Sequence, residues 1–443
     1  MIHSVRLDVT RCRGCTTCIR SCPTDAIRVR RGKATILAAR CIDCGRCIPV
    51  CPHKAIRGIT DPLELMGQYS YTIALPEPAL YGQFHHMDDV NIILNGLKAI
   101  GFDMVWEVAR AAELLSDYAH QVQKNEQLQK PKLKPIISSA CPAVVRLIRM
   151  RFPKLIPNIG TVLMPAELAA KLARKEAERL TGLAPEKIGV FLIAPCPSKA
   201  TTVHSPESLN APVIDGVFSI NDIYLRLLNP MRELEQVEPM CKVGRMGVSW
   251  AFNGGESRAR QDDHYLAVDG IEHVIRMLED IEDGRLPEAD FIELSACAKG
   301  CVGGCLNVEN PFAAKMRIQQ VMKNLPDRAP ELPEAEREVL HFERELEYAP
   351  VFVLDEDRGA AMEKLMRIAQ LEAELPGLDC ASCGAPSCRA LAEDVVLGRA
   401  SEDDCIFRMR AKMAQMTGQD SDAYLPPPFR QNRPSGGKKE EAQ

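Results

Sequence analysis

Residues 188–199 read "IGVFLIAPCPSK". The first seven form an apolar run with the length of a buried strand, and the run stops just before Cys196. Two other segments share this form. "KPIISS" at 134–139 leads to Cys141, and "DFIELS" at 290–295 leads to Cys297. Helix-period segments lie between them. "DDVNIILNGLKAI" puts Val90, Ile93, Leu94 and Leu97 on one face. "SINDIYLRLL" opens on Ser219, a residue type that caps helices. The alternation predicts an α/β region from about 70 to 330. Ligands of open α/β sheets gather at the carboxyl ends of strands. Cysteines at three such ends would converge on one buried site.

The chain has 443 residues, enough for two to four domains and a sizeable core. Its 46% hydrophobic and 26% charged content is that of a globular protein, which excludes wholesale disorder. A net charge of −5 gives no sign of a nucleic-acid binder. Apolar runs stay under about ten residues, short of the roughly 20 that a membrane helix needs. The opening "MIHSVRLDVTRCRGC" lacks the apolar stretch of a signal peptide, so a cytoplasmic location is expected. The 18 cysteines are clustered. A reducing cytosol disfavours a disulfide scaffold, which leaves metal as their use.

An internal repeat occupies residues 1–60. Cys12, Cys15, Cys18 and Cys22 recur 29 residues later as Cys41, Cys44, Cys47 and Cys51, and Pro23 and Pro52 follow the fourth cysteine of each copy. The spacing C-x2-C-x2-C-x3-C-P sends three thiolates to one iron–sulfur cube and the fourth to the other. Cys12, Cys15, Cys18 and Cys51 would hold one [4Fe–4S] cluster; Cys41, Cys44, Cys47 and Cys22 would hold the second. Structural zinc is the competing use, but zinc sites usually pair two separated knuckles. The segment resembles bacterial two-cluster ferredoxins.

Cys380, Cys383, Cys388 and Cys405 form a C-x2-C-x4-C-x16-C group within 376–410. It suits a further [4Fe–4S] cluster, with zinc again the alternative. It resembles a small four-cysteine domain of some electron-transfer and corrinoid proteins. Before it, 331–375 reads as an acidic helical connector, as in "EAEREVLHFERELE" and "AAMEKLMRIAQLEAEL". After it, 420–443 reads as a disordered tail rich in Pro, Gly and charge.

Three segments of the centre, "SSACPAVV", "APCPSK" and "ELSACAKGCVGGC", resemble in order and spacing the signature segments of the [FeFe]-hydrogenase catalytic domain. The resemblance implies an α/β domain over 61–330 with two lobes around a buried cluster. An N-terminal α+β ferredoxin-like domain and a small C-terminal iron–sulfur domain flank it. The resemblance also implies that Cys141, Cys196, Cys297 and Cys301 hold a [4Fe–4S] cluster. Cys301 would bridge to a diiron subsite bearing CO, cyanide and an azadithiolate, the whole forming the H-cluster. Lys199 would face a cyanide, with Pro78 and Ala79 as further candidates. Gly300, Gly303 and Gly304 would let the backbone pass close to the inorganic group. Cys305 stands where the family has glycine and is a candidate redox or proton group; Cys241 is an ordinary thiol.

Three positions depart from the family pattern. Ala140 replaces a proton-relaying cysteine, Ser295 a methionine and Thr202 a glutamate. These departures resemble the sensory, low-turnover branches of the family. The expected function is therefore a slow, H2-sensing hydrogenase acting on H2 and protons. Its partners would be a ferredoxin-like redox protein and a signalling kinase or phosphatase, with neither nucleic acid nor membrane. Glu256 and Glu293 are candidates for an alternative proton route, since a buried carboxylate has a raised pKa. A non-enzymatic iron–sulfur protein without the diiron subsite, and a plain electron-transfer subunit, are the competing readings.

Overall fold

A computed structural model describes residues 3–85, 88–124, 134–262, 264–286, 288–327, 339–351 and 354–418. The strands, in chain order, are β1 (Val5–Leu7), β2 (Ile27–Arg30), β3 (Lys33–Ile36), β4 (Ile56–Gly58), β5 (Tyr71–Pro76) and β6 (Met104–Val105). They continue with β7 (Ile136–Ile137), β8 (Ile188–Ala194), β9 (Gly216–Ser219), β10 (Tyr265–Asp269) and β11 (Phe291–Ser295). The chain divides into two compact units, Met1–Arg11 with Ala38–Val351, and Cys12–Leu37 with Phe352–Gln443.

The larger unit contains two parallel sheets. One has the order β6-β5-β8-β9. All seven residues of β8 are buried, as expected of a central strand covered on both faces. Its side chains alternate between two cores. Phe191 and Ile193 join Ala74, Phe218 and the helix Val90–Ala99 on one face. Val190, Leu192 and Ala194 join Ile73, Leu75, Val217 and the helix Pro165–Thr181 on the other. The predicted stripe of Val90, Ile93, Leu94 and Leu97 is buried. Ser219 caps the helix Ile220–Arg232, its Oγ accepting from Asp222 N at 3.0 Å.

The second sheet has the order β10-β11-β7. Ile292 and Leu294 of β11 pack with the helices Pro142–Arg151 and Ile271–Glu282. Glu293, between them, faces the opposite way. Strand β7 is only two residues long; Ser138 N still donates to Ile292 O at 3.0 Å, and the chain bends at Ser139–Ala140 instead of extending through "KPIISS". No helix among the described residues is long and apolar enough to cross a membrane.

The smaller unit holds the β2–β3 hairpin and the helices Arg358–Glu374, Cys388–Val396 and Ile406–Thr417. Val29 N donates to Gly384 O at 2.8 Å. A Cβ on Gly384 would lie 1.9 Å from Val29 O, so only glycine fits there. Asp394 accepts from Arg28 Nε at 2.7 Å and from Arg30 Nη2 at 2.9 Å.

The unit boundary falls inside the cysteine repeat, between Leu37 and Ala38. The 331–375 stretch is shared as well. From Val339 the described chain is not the continuous helix expected from "EAEREVLHFERELE". Leu340 is buried in the large core, and main-chain bonds Leu163 N→Leu340 O and Phe342 N→Thr161 O hold the segment down. The helical expectation holds for Arg358–Glu374. The helix Ile406–Thr417 runs past the expected boundary at 410. Residues 420–443 lie outside the described ones.

Candidate metal centre

The three strand ends deliver their cysteines in two ways. Cys141 and Cys196 are the N-cap residues of helices that begin with proline, Pro142–Arg151 and Pro197–His204. Proline suits the first helical position, where its missing N–H costs nothing. The helix N-termini also present positive partial charge to an anionic group. Cys297 follows β11, and Cys301 lies in the 3-10 turn Gly300–Gly303. The four cysteines line one cavity. Burial pushes the Cys196 thiol up to about 12 and Cys301 to about 11, and raises Cys297 well above its usual range. Such thiols stay protonated at neutral pH until a metal supplies the charge that stabilises the thiolate. Four soft donors on the wall of one cavity fit a [4Fe–4S] cluster.

Lys199 lines the same cavity and is 93% buried at its side chain. Burial works against its charge, but Cys301, Glu77 and Cys196 outweigh burial and raise its pKa. Its Nζ donates to Glu77 Oε1 at 2.5 Å. The sequence reading passed over Glu77. It is the residue before Pro78, just past strand β5, and only the pairing of β5 with β8 brings it beside Lys199. Pro78 lines the cavity; Ala79 is buried but does not line it.

Glu256, Glu293, Ala140 and Ser295 are all on the cavity wall. Glu256 Oε2 accepts from Ser138 Oγ at 2.5 Å. Burial first, then the Glu293 charge, pushes its carboxyl up to about 8. Glu293 accepts from Gly254 N at 2.8 Å and from Ser257 N and Oγ at 3.0 Å each. Burial still raises it, against those hydrogen bonds. Thr202 lies off this cavity. Its Oγ1 accepts from Arg146 Nη2 at 2.7 Å, while Arg146 Nε donates to Glu207 Oε1 at 3.0 Å. Glu207 is thus the carboxylate paired with Arg146 beside Thr202.

One expectation about a neighbouring residue changes, and another gains a second cause. Cys305 is not on the cavity wall; a Cβ on Gly45 would lie 2.3 Å from its Sγ, so the thiol packs against the loop between Cys44 and Cys47. Gly303 and Gly304 are required by protein packing in their own right: a Cβ would lie 1.9 Å from Ala298 O and 2.3 Å from Pro195 O, while Gly300 and Gly304 also line the cavity. Gly300, at φ +82°, likewise abuts the backbone at Phe252 and Asn253. Cys241 is partly buried against Glu107, and its N–H donates to Asn91 Oδ1 at 2.8 Å.

The repeat cysteines show matched local geometry. Cys22 Sγ accepts from Ala26 N at 3.2 Å, and Cys51 Sγ accepts from Ala55 N at 3.3 Å. Cys12 Sγ accepts from Ala34 N at 3.3 Å. Backbone donors to sulfur are among the features that set cluster potentials. Asp43, between Cys41 and Cys44, is fully buried and accepts from Val5 N at 3.0 Å. In the smaller unit, Cys383, Cys388 and Cys405 share one apolar cluster, with Cys388 opening a helix and Cys405 preceding the next.

Comparison with known proteins matches residues 70–243 and 255–305 to the family described as "Iron only hydrogenase large subunit, C-terminal domain". A 4Fe-4S dicluster domain family matches residues 4–52, and an Fe-S cluster family matches 375–407. Iron hydrogenase 1 of Clostridium pasteurianum is 22% identical over 269 residues, 51% of this chain and 46% of that protein. The nuclear prelamin A recognition factor of Mus musculus is 22% identical over 290 residues, 53% of this chain and 63% of that protein. The chain therefore spans about half to under two thirds of these relatives. A cytosolic Fe-S cluster assembly factor NAR1 homolog of Schizosaccharomyces japonicus is 29% identical over 117 residues, 26% of this chain and 22% of that protein. The solved structure of an [FeFe]-hydrogenase from Chlamydomonas reinhardtii shares the fold, with a TM-score of 0.50 at 15% identity, over 65% of this chain and 98% of that one.

Proposed function

From a chain that belongs to the family of the iron-only hydrogenase large subunit, C-terminal domain, we propose a slow, H2-responsive [FeFe]-hydrogenase carrying an H-cluster. The observation that carries this reading is the joint presence of Cys141, Cys196, Cys297, Cys301 and buried Lys199 on one cavity wall. Cys141, Cys196, Cys297 and Cys301 would hold the cubane, and Cys301 would reach on to two further irons. When bound, that diiron group supplies an open metal position at which H2 is polarised and split.

The chain's own residues would do the rest. Lys199 offers its ammonium to an anionic diiron ligand, a strong charge-assisted contact. Glu256 accepts a proton on its carboxylate, with Ser138 orienting one oxygen, and Glu293 is the next carboxyl on the wall. Ala140 has no exchangeable proton. A step slowed by about 4 kcal/mol turns over roughly a thousandfold less often, in keeping with a sensor. Electrons would travel through the two N-terminal cubanes and the C-terminal cluster to a ferredoxin-like partner in the cytoplasm. A kinase or phosphatase would read the redox state.

The similarity to a cluster assembly factor and to the prelamin A recognition factor supports a second reading, a non-enzymatic iron–sulfur protein without the diiron group. Infrared spectroscopy after loading with a synthetic diiron complex separates the two. Bands of metal-bound CO and cyanide that respond to H2 are expected. An iron count that stays at the cubane complement, with no such bands, overturns the hydrogenase reading.

A further inference from the structure

Among the described residues that line the central cavity, Lys199 is the one Lys or Arg, and it shares the wall with three carboxylates. Two of these are engaged in other contacts. Glu256 is held by Ser138, and Glu293 by the backbone at Gly254 and Ser257. Glu77 alone of the three is bonded to Lys199, at 2.5 Å, with side-chain exposures of 3% and 7%. The pair bridges adjacent parallel strand ends. Pro76 is in register with Ile193, so Glu77 leaves β5 beside the turn where β8 passes into Cys196 and Lys199. Both groups are fixed at their bases: Glu77 precedes the 3-10 turn Pro78–Gly82, and Lys199 lies in the first turn of the helix Pro197–His204.

We propose that Glu77 positions Lys199 and sets the strength of the hydrogen bond that Lys199 gives to a metal-bound anion of the cyanide type. A lysine ammonium has three donors. One is committed to Glu77, so the head group is held at the wall with its remaining donors aimed by that bond. The carboxylate also competes for the same positive charge, which weakens any contact made to the incoming anion. Glu77 touches Lys199 and acts through it; it is a positioning residue for the bound ligand. This assignment rests on the diiron reading above.

The test uses full-length protein loaded with the synthetic diiron complex, with infrared band positions as the readout and iron content as the control. In Glu77→Gln the shape is retained and the competing charge removed. The cyanide band of the ligand that faces Lys199 is expected to shift, while the other cyanide band holds. Glu77→Asp keeps the charge and is expected to bring that band back toward its wild-type position. Identical cyanide bands in wild type and Glu77→Gln overturn the assignment while leaving the diiron reading intact. Absence of CO and cyanide bands from the wild type overturns the diiron reading and the assignment with it. Should Glu77→Gln lose cubane iron, Glu77→Asp decides: a cubane-loaded protein with cyanide bands supports the positioning role, and loss of cubane iron there as well makes Glu77 a scaffold residue and overturns it.

Discussion

Four cysteines line the central cavity, and four more lie within residues 380–405, yet the two sets are built in opposite ways. The central set comes from three strand ends spread over 160 positions, Cys141 to Cys301, and is walled by the apolar cores of two sheets. The terminal set is local, and its core amounts to a few residues such as Ile368, Leu371 and Leu391. A site made by a folded sheet pair has its geometry before metal arrives. A local site with little apolar burial depends on metal for much of its stability. Substitution should therefore separate chemistry from folding at the centre and merge them at the terminus.

The largest effect is expected at the centre. Cys297→Ala or Cys301→Ala should remove the cavity cubane, about four irons, and abolish H2 turnover, since one thiolate of four is lost. Thermal unfolding of the larger unit should change little, because the fully buried residues of its apolar cores are retained and only the partly buried Cys301 packs at their edge. Iron analysis together with calorimetry checks both halves. Collapse of the fold with the iron would break the contrast between the two sites.

Next come the proton groups. Glu256→Gln and Glu293→Gln should each lower turnover by ~10²–10⁴, the usual contribution of a positioned acid or base, with the cofactor spectrum intact. The pH profile of wild type should inflect near 8, where the Glu256 carboxyl titrates, and Glu256→Gln should lose the inflection. The same group sets a stability slope. Between pH 4.5 and 8 the folded protein keeps a proton that the unfolded chain releases, so stability falls as pH rises across that window. Denaturant titrations of Glu256→Gln should show a flatter slope there. Equal slopes and unchanged rates in both variants would remove the carboxylate route. Ala140→Cys should act in the other direction, adding an exchangeable proton on the cavity wall. A gain below ~10²-fold is expected, because the existing route already carries part of the flux.

The contrast also governs what was legible beforehand. The local cysteine groups were readable because spacing alone specifies their ligand geometry. At the centre, the strand-end rule located Cys141, Cys196 and Cys297, whereas the turn of Glu293 away from the apolar core is seen only in the packed sheet. Glu77 was missed because its importance depends on the lateral pairing of β5 with β8, which no local pattern reports. The glycines after Cys297 were read as yielding to an inorganic group. The structure adds the backbone at Asn253, Ala298 and Pro195 as close neighbours, contacts made by long-range or turn packing that no local pattern reports. The segment after Val339 shows tertiary override: its charge pattern suits a helix, but burial of Leu340 and main-chain bonds to 161–163 hold it otherwise.

A smaller effect is expected at the terminal unit. Asp394 is 5% exposed at its side chain and serves Arg28 and Arg30 together. Asp394→Ala leaves two guanidinium groups without that acid, at a cost of ~3 kcal/mol, the lower end for breaking a buried pair. The terminal cluster should bleach at a lower temperature, while CO and cyanide bands from the central cavity stay where they are. Loss of both signals together would erase the distinction between the two sites.

The smallest effect sharpens the ligand assignment. Sixteen of the 18 cysteines are assigned to clusters, leaving Cys241 and Cys305. Cys305 packs on Gly45, beside the loop of Cys44 and Cys47, and burial pushes its thiol up to about 12. Cys241 sits against Glu107, and burial pushes it up to about 12 as well. Neither lines the cavity, so neither is required by the donor set there. Cys241→Ala and Cys305→Ala should keep the full iron content and the same infrared bands. A loss of about four irons in Cys305→Ala would instead make its sulfur a ligand, and one of Cys44, Cys47 or Cys196 would then have to leave its assigned cube.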